Sequence, residues 1–116
     1  MKKIFHLETC KTCQKILKEL EPLDGIELRE IKSKGVTPEE LDEMRALTDS
    51  YEDLFSRRAM LFRQRGLNNE KLDEEDYKNL ILEHYTFLKR PVVVVDNQIF
   101  IGNAKKQVAG AKEALH

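Results

Sequence analysis

The chain has 116 residues, 41% apolar and 35% charged, with a formal net charge of −1. That is enough for one compact domain and not two, and the near-zero balance excludes a global electrostatic pull toward nucleic acid or membrane. No apolar run approaches the ~20 residues that span a bilayer, and Lys2-Lys3 is not followed by the apolar segment of a signal peptide. The expectation is a cytoplasmic protein in a reducing compartment, where a cysteine pair more often serves catalysis or metal binding than a structural staple.

Lys2–Leu7 is short, partly apolar and strand-like. Thr9-Cys10-Lys11-Thr12-Cys13-Gln14 follows, with both cysteines of the chain two residues apart. Beyond it Cys13, Ile16, Leu17 and Leu20 recur at i, i+3, i+4 and i+7, one face of a helix. The pattern predicts strand, tight turn and helix, with Cys10 at or near the N-cap and Cys13 on the inward face. The thiolate is the reactive form of cysteine, and a helix N-terminus offers unpaired N–H groups and partial positive charge that favour it. His6 and Lys11 add positive charge nearby. The pair therefore suggests a nucleophilic Cys10 and a resolving Cys13. Two plainer alternatives stand beside this: two structural cysteines, or half of a zinc site that only His6, His84 and His116 could complete.

The first helix ends near Glu21-Pro22, because proline cannot continue it. Asp24-Gly25 is a turn, and residues 26–31 alternate as a second strand. The crossover is long enough for the two strands to run parallel. Thr37-Pro38-Glu39-Glu40 is a helix start with Thr37 as N-cap, Pro38 at the first position and Glu40 closing a capping box. Tyr51, Leu54 and Phe55 suggest a short helix. Residues 56–66 carry Arg57, Arg58, Arg63 and Arg65 and end at Gly66, which suits a helix C-cap. These arginines form either a solvated helical face or a cationic group aimed at an anion near Cys10. Asp73 caps another helix, on which Tyr77, Leu80, Ile81 and His84 share a face; His84 is expected to be a packing histidine.

Val92–Val95 is a β-branched run suited to a strand buried on both faces. Asp96-Asn97 is a hairpin turn and Gln98–Ile101 the return strand. Ala104, Val108, Ala111 and Leu115 mark a last helix, expected to be capped by Asn103 and shortened or frayed by Gly110.

The element order is β-α-β, a helical block, then β-β-α. It predicts an α/β protein: a single thioredoxin-like domain over 1–116, with a four-stranded mixed sheet and a helical insertion at about 37–85. With Ile4-Phe5-His6-x-x-x-Cys10, Cys10-x-x-Cys13, Leu54-Phe55-Ser56-Arg57-Arg58, Leu88-Lys89-Arg90-Pro91 and Ile101-Gly102, nearly the whole chain resembles the arsenate reductase-like (ArsC) family, which also contains the Spx transcription regulators. The resemblance implies a thiol-dependent oxidoreductase. In it Cys10 is the nucleophile on an oxyanion or disulfide, and Cys13 or an external thiol resolves the intermediate. It places His6 near the thiolate and makes Pro91 a cis proline facing it. Arg58, with Arg57 as the register alternative, and Arg90 become the oxyanion ligands. Guanidinium forks match tetrahedral oxyanions and also stabilise a thiolate.

The resemblance implies no bound cofactor and no metal. The reductant would be glutathione, a glutaredoxin or a thioredoxin. Arsenate-reducing members carry a further arginine after the hairpin, where this chain has Asn103-Ala104-Lys105-Lys106, so the substrate stays open. The alternative function is an Spx-like redox-sensing regulator that binds RNA polymerase. Such members commonly have an arginine after the second cysteine, where Gln14 stands here. Neither direct nucleic-acid binding nor membrane association is expected, and a monomer is favoured.

Overall fold

The computed structural model describes residues 2–116, which form two compact units. One runs to Lys34 and resumes at Arg90; the other spans Gly35–Lys89.

The first unit is built on a four-stranded mixed sheet, as expected from the element order. Strands β1 (Lys2–His6), β2 (Glu27–Glu30), β3 (Val92–Val95) and β4 (Gln98–Ile101) lie in the order β2-β1-β3-β4. β1 pairs parallel with β2 and antiparallel with β3, and β3 pairs antiparallel with β4. Ile4 sits opposite Val93. On that face Ile4, Val93 and Val95 pack against Ile16 and Leu20 of α1 (Lys11–Glu19) and against Ala111 and Leu115 of α5 (Lys105–Leu115). Val92 and Val94 on the opposite face are buried too, so the valine run is enclosed on both sides. Leu28, level with Ile4 in the parallel ladder, lies in the edge strand β2 and is exposed. Asp96 takes a positive φ of 52° in the hairpin turn. The Arg90–Pro91 bond is cis, and so is Glu21–Pro22 just past α1.

α5 departs from expectation at both points. It begins at Lys105 with Ala104, not Asn103, as N-cap. The chain leaves β4 through Gly102 at φ +87°, whose N–H donates to the Pro91 carbonyl at 2.9 Å, and this turn leaves Asn103 outside the helix. The Gln107 side chain accepts the Ile101 N–H at 3.1 Å and ties the first turn of α5 to β4. The helix also runs unbroken through Gly110 for 11 residues.

The second unit holds α2 (Pro38–Ala46), α3 (Met60–Gln64) and α4 (Glu74–Glu83), with 3₁₀ turns at Glu52–Leu54, Leu67–Asn69 and Tyr85–Phe87. Thr37 and Glu40 form the capping box at the head of α2, and Asp73 and Asp76 form one at α4. The core centres on Phe55, whose ring stacks on Phe87 at 5.4 Å and meets Tyr77 at 4.9 Å and Phe62 at 5.8 Å. Around Phe55 the backbone is extended. It bridges Leu88, the Ser56 N–H donates to the Phe87 carbonyl (2.7 Å), and the Lys89 N–H donates to the Leu54 carbonyl (2.8 Å). This short ladder explains why the arginine-rich stretch is not one helix: Ser56–Ala59 is held off the helical path, and α3 begins only at Met60. Gly66 is left-handed at φ +69°. His84 packs on Tyr85 at 4.6 Å, and its Nδ1 receives the Thr86 N–H at 3.2 Å. Among the described residues no helix is long and apolar enough to cross a membrane.

Candidate active site

β1 ends at His6, and the chain turns through Glu8 and Thr9. The Cys10 N–H closes the turn on the Leu7 carbonyl at 3.1 Å. Cys10 is the N-cap of α1 in extended geometry (φ −88°, ψ 114°), and its carbonyl accepts the Gln14 N–H at 3.0 Å. No side chain caps this helix and no acid stands in its first turn, so its N-terminal N–H groups remain available to the Cys10 sulfur.

Cys10 is half-buried and Cys13 fully buried, and both are free thiols. Their acidities diverge. Partial burial alone would push Cys10 up. Hydrogen bonds from the Cys13 N–H, the Cys13 thiol and the Thr12 N–H, together with the charge of Arg90, outweigh that and hold Cys10 below the ordinary thiol value. Burial, and then the charge of Cys10 and the hydrogen bond to it, push Cys13 up to about 11, against a backbone bond at Leu7 and the charge of Arg90. The two thiols are thus shifted in opposite directions, Cys10 down and Cys13 up.

The remaining residues singled out from the sequence fall as follows. Arg90 acts electrostatically on both thiols, and Pro91 beside it is fully buried. His6 closes β1; its carbonyl accepts the Ile31 N–H at 3.0 Å, and its Nδ1 is buried with no hydrogen-bond partner among the described residues. Arg57 is engaged inside the second unit. It pairs with Glu52, donates to the Tyr77 hydroxyl at 3.0 Å and lies 5.6 Å over the Tyr77 ring. Arg58 is exposed and makes no hydrogen bond or ion pair among the described residues. Among the described residues no three His, Cys, Asp or Glu side chains gather to hold a metal ion.

Sequence reasoning passed over Glu30. Its Oε2 accepts the Glu8 N–H at 2.9 Å, and its Oε1 accepts the Lys32 N–H (2.8 Å), the Ser33 N–H (2.9 Å) and the Ser33 hydroxyl (3.1 Å). An acid at the end of a strand carries no local pattern that marks it as a ligand of a distant backbone.

A mixed four-stranded sheet with a CxxC pair at the head of its first helix defines the thioredoxin-like class. The ArsC family model matches residues 5–111, and the chain belongs to the ArsC family. It is 27% identical over 108 residues to the global transcriptional regulator Spx 2 of Bacillus cereus, covering 90% of this chain and 82% of that protein. It is 29% identical over 112 residues to an arsenate reductase of Neisseria meningitidis, covering 91% and 93%. In fold it matches an ArsC family related protein from Bacteroides fragilis with a TM-score of 0.80 at 23% identity over 95% and 96% of the two chains. It matches an arsenate reductase from Vibrio cholerae with a TM-score of 0.73 at 22% identity over 95% and 96%.

Proposed function

We propose that the protein is a thiol-dependent reductase in which Cys10 is the nucleophile and Cys13 the resolving thiol. The observation that carries this reading is the split between the two cysteines: Cys10 held below and Cys13 held above the ordinary thiol range, one helical turn apart. The best attacking thiol in exchange has a pKa near ambient pH, and lowering Cys10 moves it in that direction.

On a disulfide, the Cys10 thiolate attacks one sulfur. A Cys10–substrate S–S bond forms, the substrate S–S bond breaks, and the second substrate sulfur leaves as thiolate and takes a proton from solution. Cys13 then gives up its proton and attacks the Cys10 sulfur, releasing the first substrate thiolate. Two electrons have passed to the substrate, and the Cys10–Cys13 disulfide is reduced again by glutathione, a glutaredoxin or a thioredoxin. On an arsenate-type oxyanion, Cys10 bonds to the central arsenic(V) and a protonated oxygen leaves as water. A second thiol then attacks the Cys10 sulfur and the sulfur–arsenic electron pair stays on arsenic, which becomes arsenic(III). Arg90 and Arg58 would bind the oxyanion. His6 would favour the thiolate.

The test is alkylation of Cys10 against pH, with the potential of the pair set in a glutathione buffer, followed by turnover on arsenate and on a small disulfide. A depressed midpoint, a reversible disulfide and turnover are expected. An ordinary midpoint with no disulfide would overturn the reading.

A second function is favoured by the similarity to Spx over most of the chain. In it the Cys10–Cys13 pair switches binding to RNA polymerase. The net charge of −1 suits a protein partner better than nucleic acid. Retention of polymerase from a lysate by only one redox form supports it; equal behaviour of both forms removes it.

A further inference from the structure

Glu8 is held at both of its backbone groups by side chains from elsewhere in the fold. Its N–H donates to Glu30 Oε2 at 2.9 Å, and its carbonyl accepts from Gln14 Nε2 at 2.6 Å. Glu8 is a central residue of the turn that the Cys10 N–H closes on Leu7. One anchor comes from the end of β2 and the other from the first turn of α1, so the turn is fastened both to the strand beside β1 and to the helix it leads into. The Glu30 anchor is itself fixed, because its second oxygen takes the Lys32 N–H, the Ser33 N–H and the Ser33 hydroxyl. A carboxylate that accepts several N–H bonds is strongly favoured as the anion, and Glu30 is held down at about 2, although its burial works the other way.

We infer that Glu30 and Gln14 are positioning residues: together they clamp Glu8 and hold the turn that presents Cys10 to the N-terminus of α1. The inference rests on Cys10 being the nucleophile. The donors that favour its thiolate, the N–H groups of Thr12 and Cys13, are directional. Loosening the turn by a fraction of an ångström spoils their alignment, because hydrogen bonds weaken steeply with angle. A turn free to fluctuate would also average the separation of Cys10 from Arg90.

A charge effect and a clamp effect have opposite signs at Glu30. If Glu30 mattered only as a negative charge near the thiol, removing that charge would favour the thiolate and speed alkylation. If it clamps, Glu30→Gln slows alkylation, because a carboxamide offers one acceptor oxygen where the turn and the 32–33 loop use two. Gln14→Ala removes the other anchor from an exposed helical position, changes no charge, and puts a good helix former in its place.

The experiment is the pH profile of Cys10 alkylation, followed by peptide mapping, in the full-length protein and in E30Q and Q14A, with circular dichroism to check the fold. Each variant is expected to move the profile to higher pH and slow modification at neutral pH by roughly threefold. An unchanged or faster rate in Q14A, or in folded E30Q, overturns the clamp. Should E30Q fail to fold, Q14A carries the test alone. A wild-type profile with an ordinary midpoint removes the nucleophile reading, and the variant-to-wild-type ratio still judges the clamp. A depressed wild-type profile that neither variant moves removes the clamp alone.

Discussion

Gly110 of α5 lies against the ring of Phe100 in β4 so closely that a Cβ at residue 110 would come within 2.8 Å of Cε1. Glycine in a helix interior costs roughly 1 kcal/mol relative to alanine, and here that cost secures the approach of helix to sheet. Gly110→Ala is therefore expected to destabilise the protein, since overpacking costs about 1–3 kcal/mol and exceeds the gain in propensity. In a Phe100→Ala background the ring is gone, and the same substitution should stabilise by up to about 1 kcal/mol. Denaturant unfolding of the four proteins in this cycle checks the reversal of sign; a stabilising Gly110→Ala in the wild type would refute the steric account.

The two cysteines are expected to differ in kinetics as well as acidity. Near neutral pH, iodoacetamide should modify Cys10 and leave Cys13 untouched, because Cys13 is buried and pushed up to about 11. Arg90→Gln removes a charge that favours both thiolates, so Cys10 alkylation at neutral pH should slow by a few-fold. Added salt should slow the wild type more than the variant. Equal labelling of both cysteines, or an unmoved Arg90→Gln profile, would contradict the electrostatic account.

The parts of the fold that were legible in the sequence are those governed by local rules. The heptad-like recurrence of Cys13, Ile16 and Leu20 after a strand put Cys10 at the N-cap, where it stands. Thr37 with Glu40, and Asp73 at the head of α4, are satisfied within a single helical turn. What stayed hidden depends on partners far along the chain. Ser56 reads as helical until its N–H is claimed by Phe87. Asn103 is the better intrinsic cap than Ala104, but the Gly102 turn and the Gln107 tie to Ile101 decide where α5 starts. Glu30 has no signature, because the N–H of Glu8 is 22 residues away in sequence.

Glu30 should also mark the acid limb of stability. Its carboxyl falls from an ordinary 4.5 to about 2: burial raises it, and the N–H groups of Glu8, Ser33 and Lys32 with the Ser33 hydroxyl lower it further than burial can offset. A carboxyl whose folded value is depressed contributes stability that is fully present above its unfolded value and is lost as pH falls through the folded one. The contribution should therefore be complete above about 4.5 and vanish toward about 2. In Glu30→Gln the fall in denaturation midpoint across that window should be shallower than in the wild type, while both lose stability from other carboxylates. Parallel slopes would mean that the Glu30 hydrogen bonds add nothing to folding.

Arg57 and Arg58 are neighbours in sequence with opposite expected roles. Arg57 is engaged by Glu52 and Tyr77, so Arg57→Ala should cost about 1 kcal/mol, the upper range for a half-exposed pair with an added ring contact. Arg58 has no such engagement among the described residues, and Arg58→Ala should change stability by no more than about 0.5 kcal/mol. If Arg58 binds the substrate anion, its loss should instead raise KM for an oxyanion by tenfold or more, since a charge-assisted contact is worth roughly 1.5–3 kcal/mol. Lysine at 58 should restore only part of this, because it keeps the charge and loses the fork. Urea unfolding and steady-state kinetics on the two alanine variants separate these roles. A stable, kinetically silent Arg58→Ala beside a kinetically impaired Arg57→Ala would move the anion-binding role to Arg57.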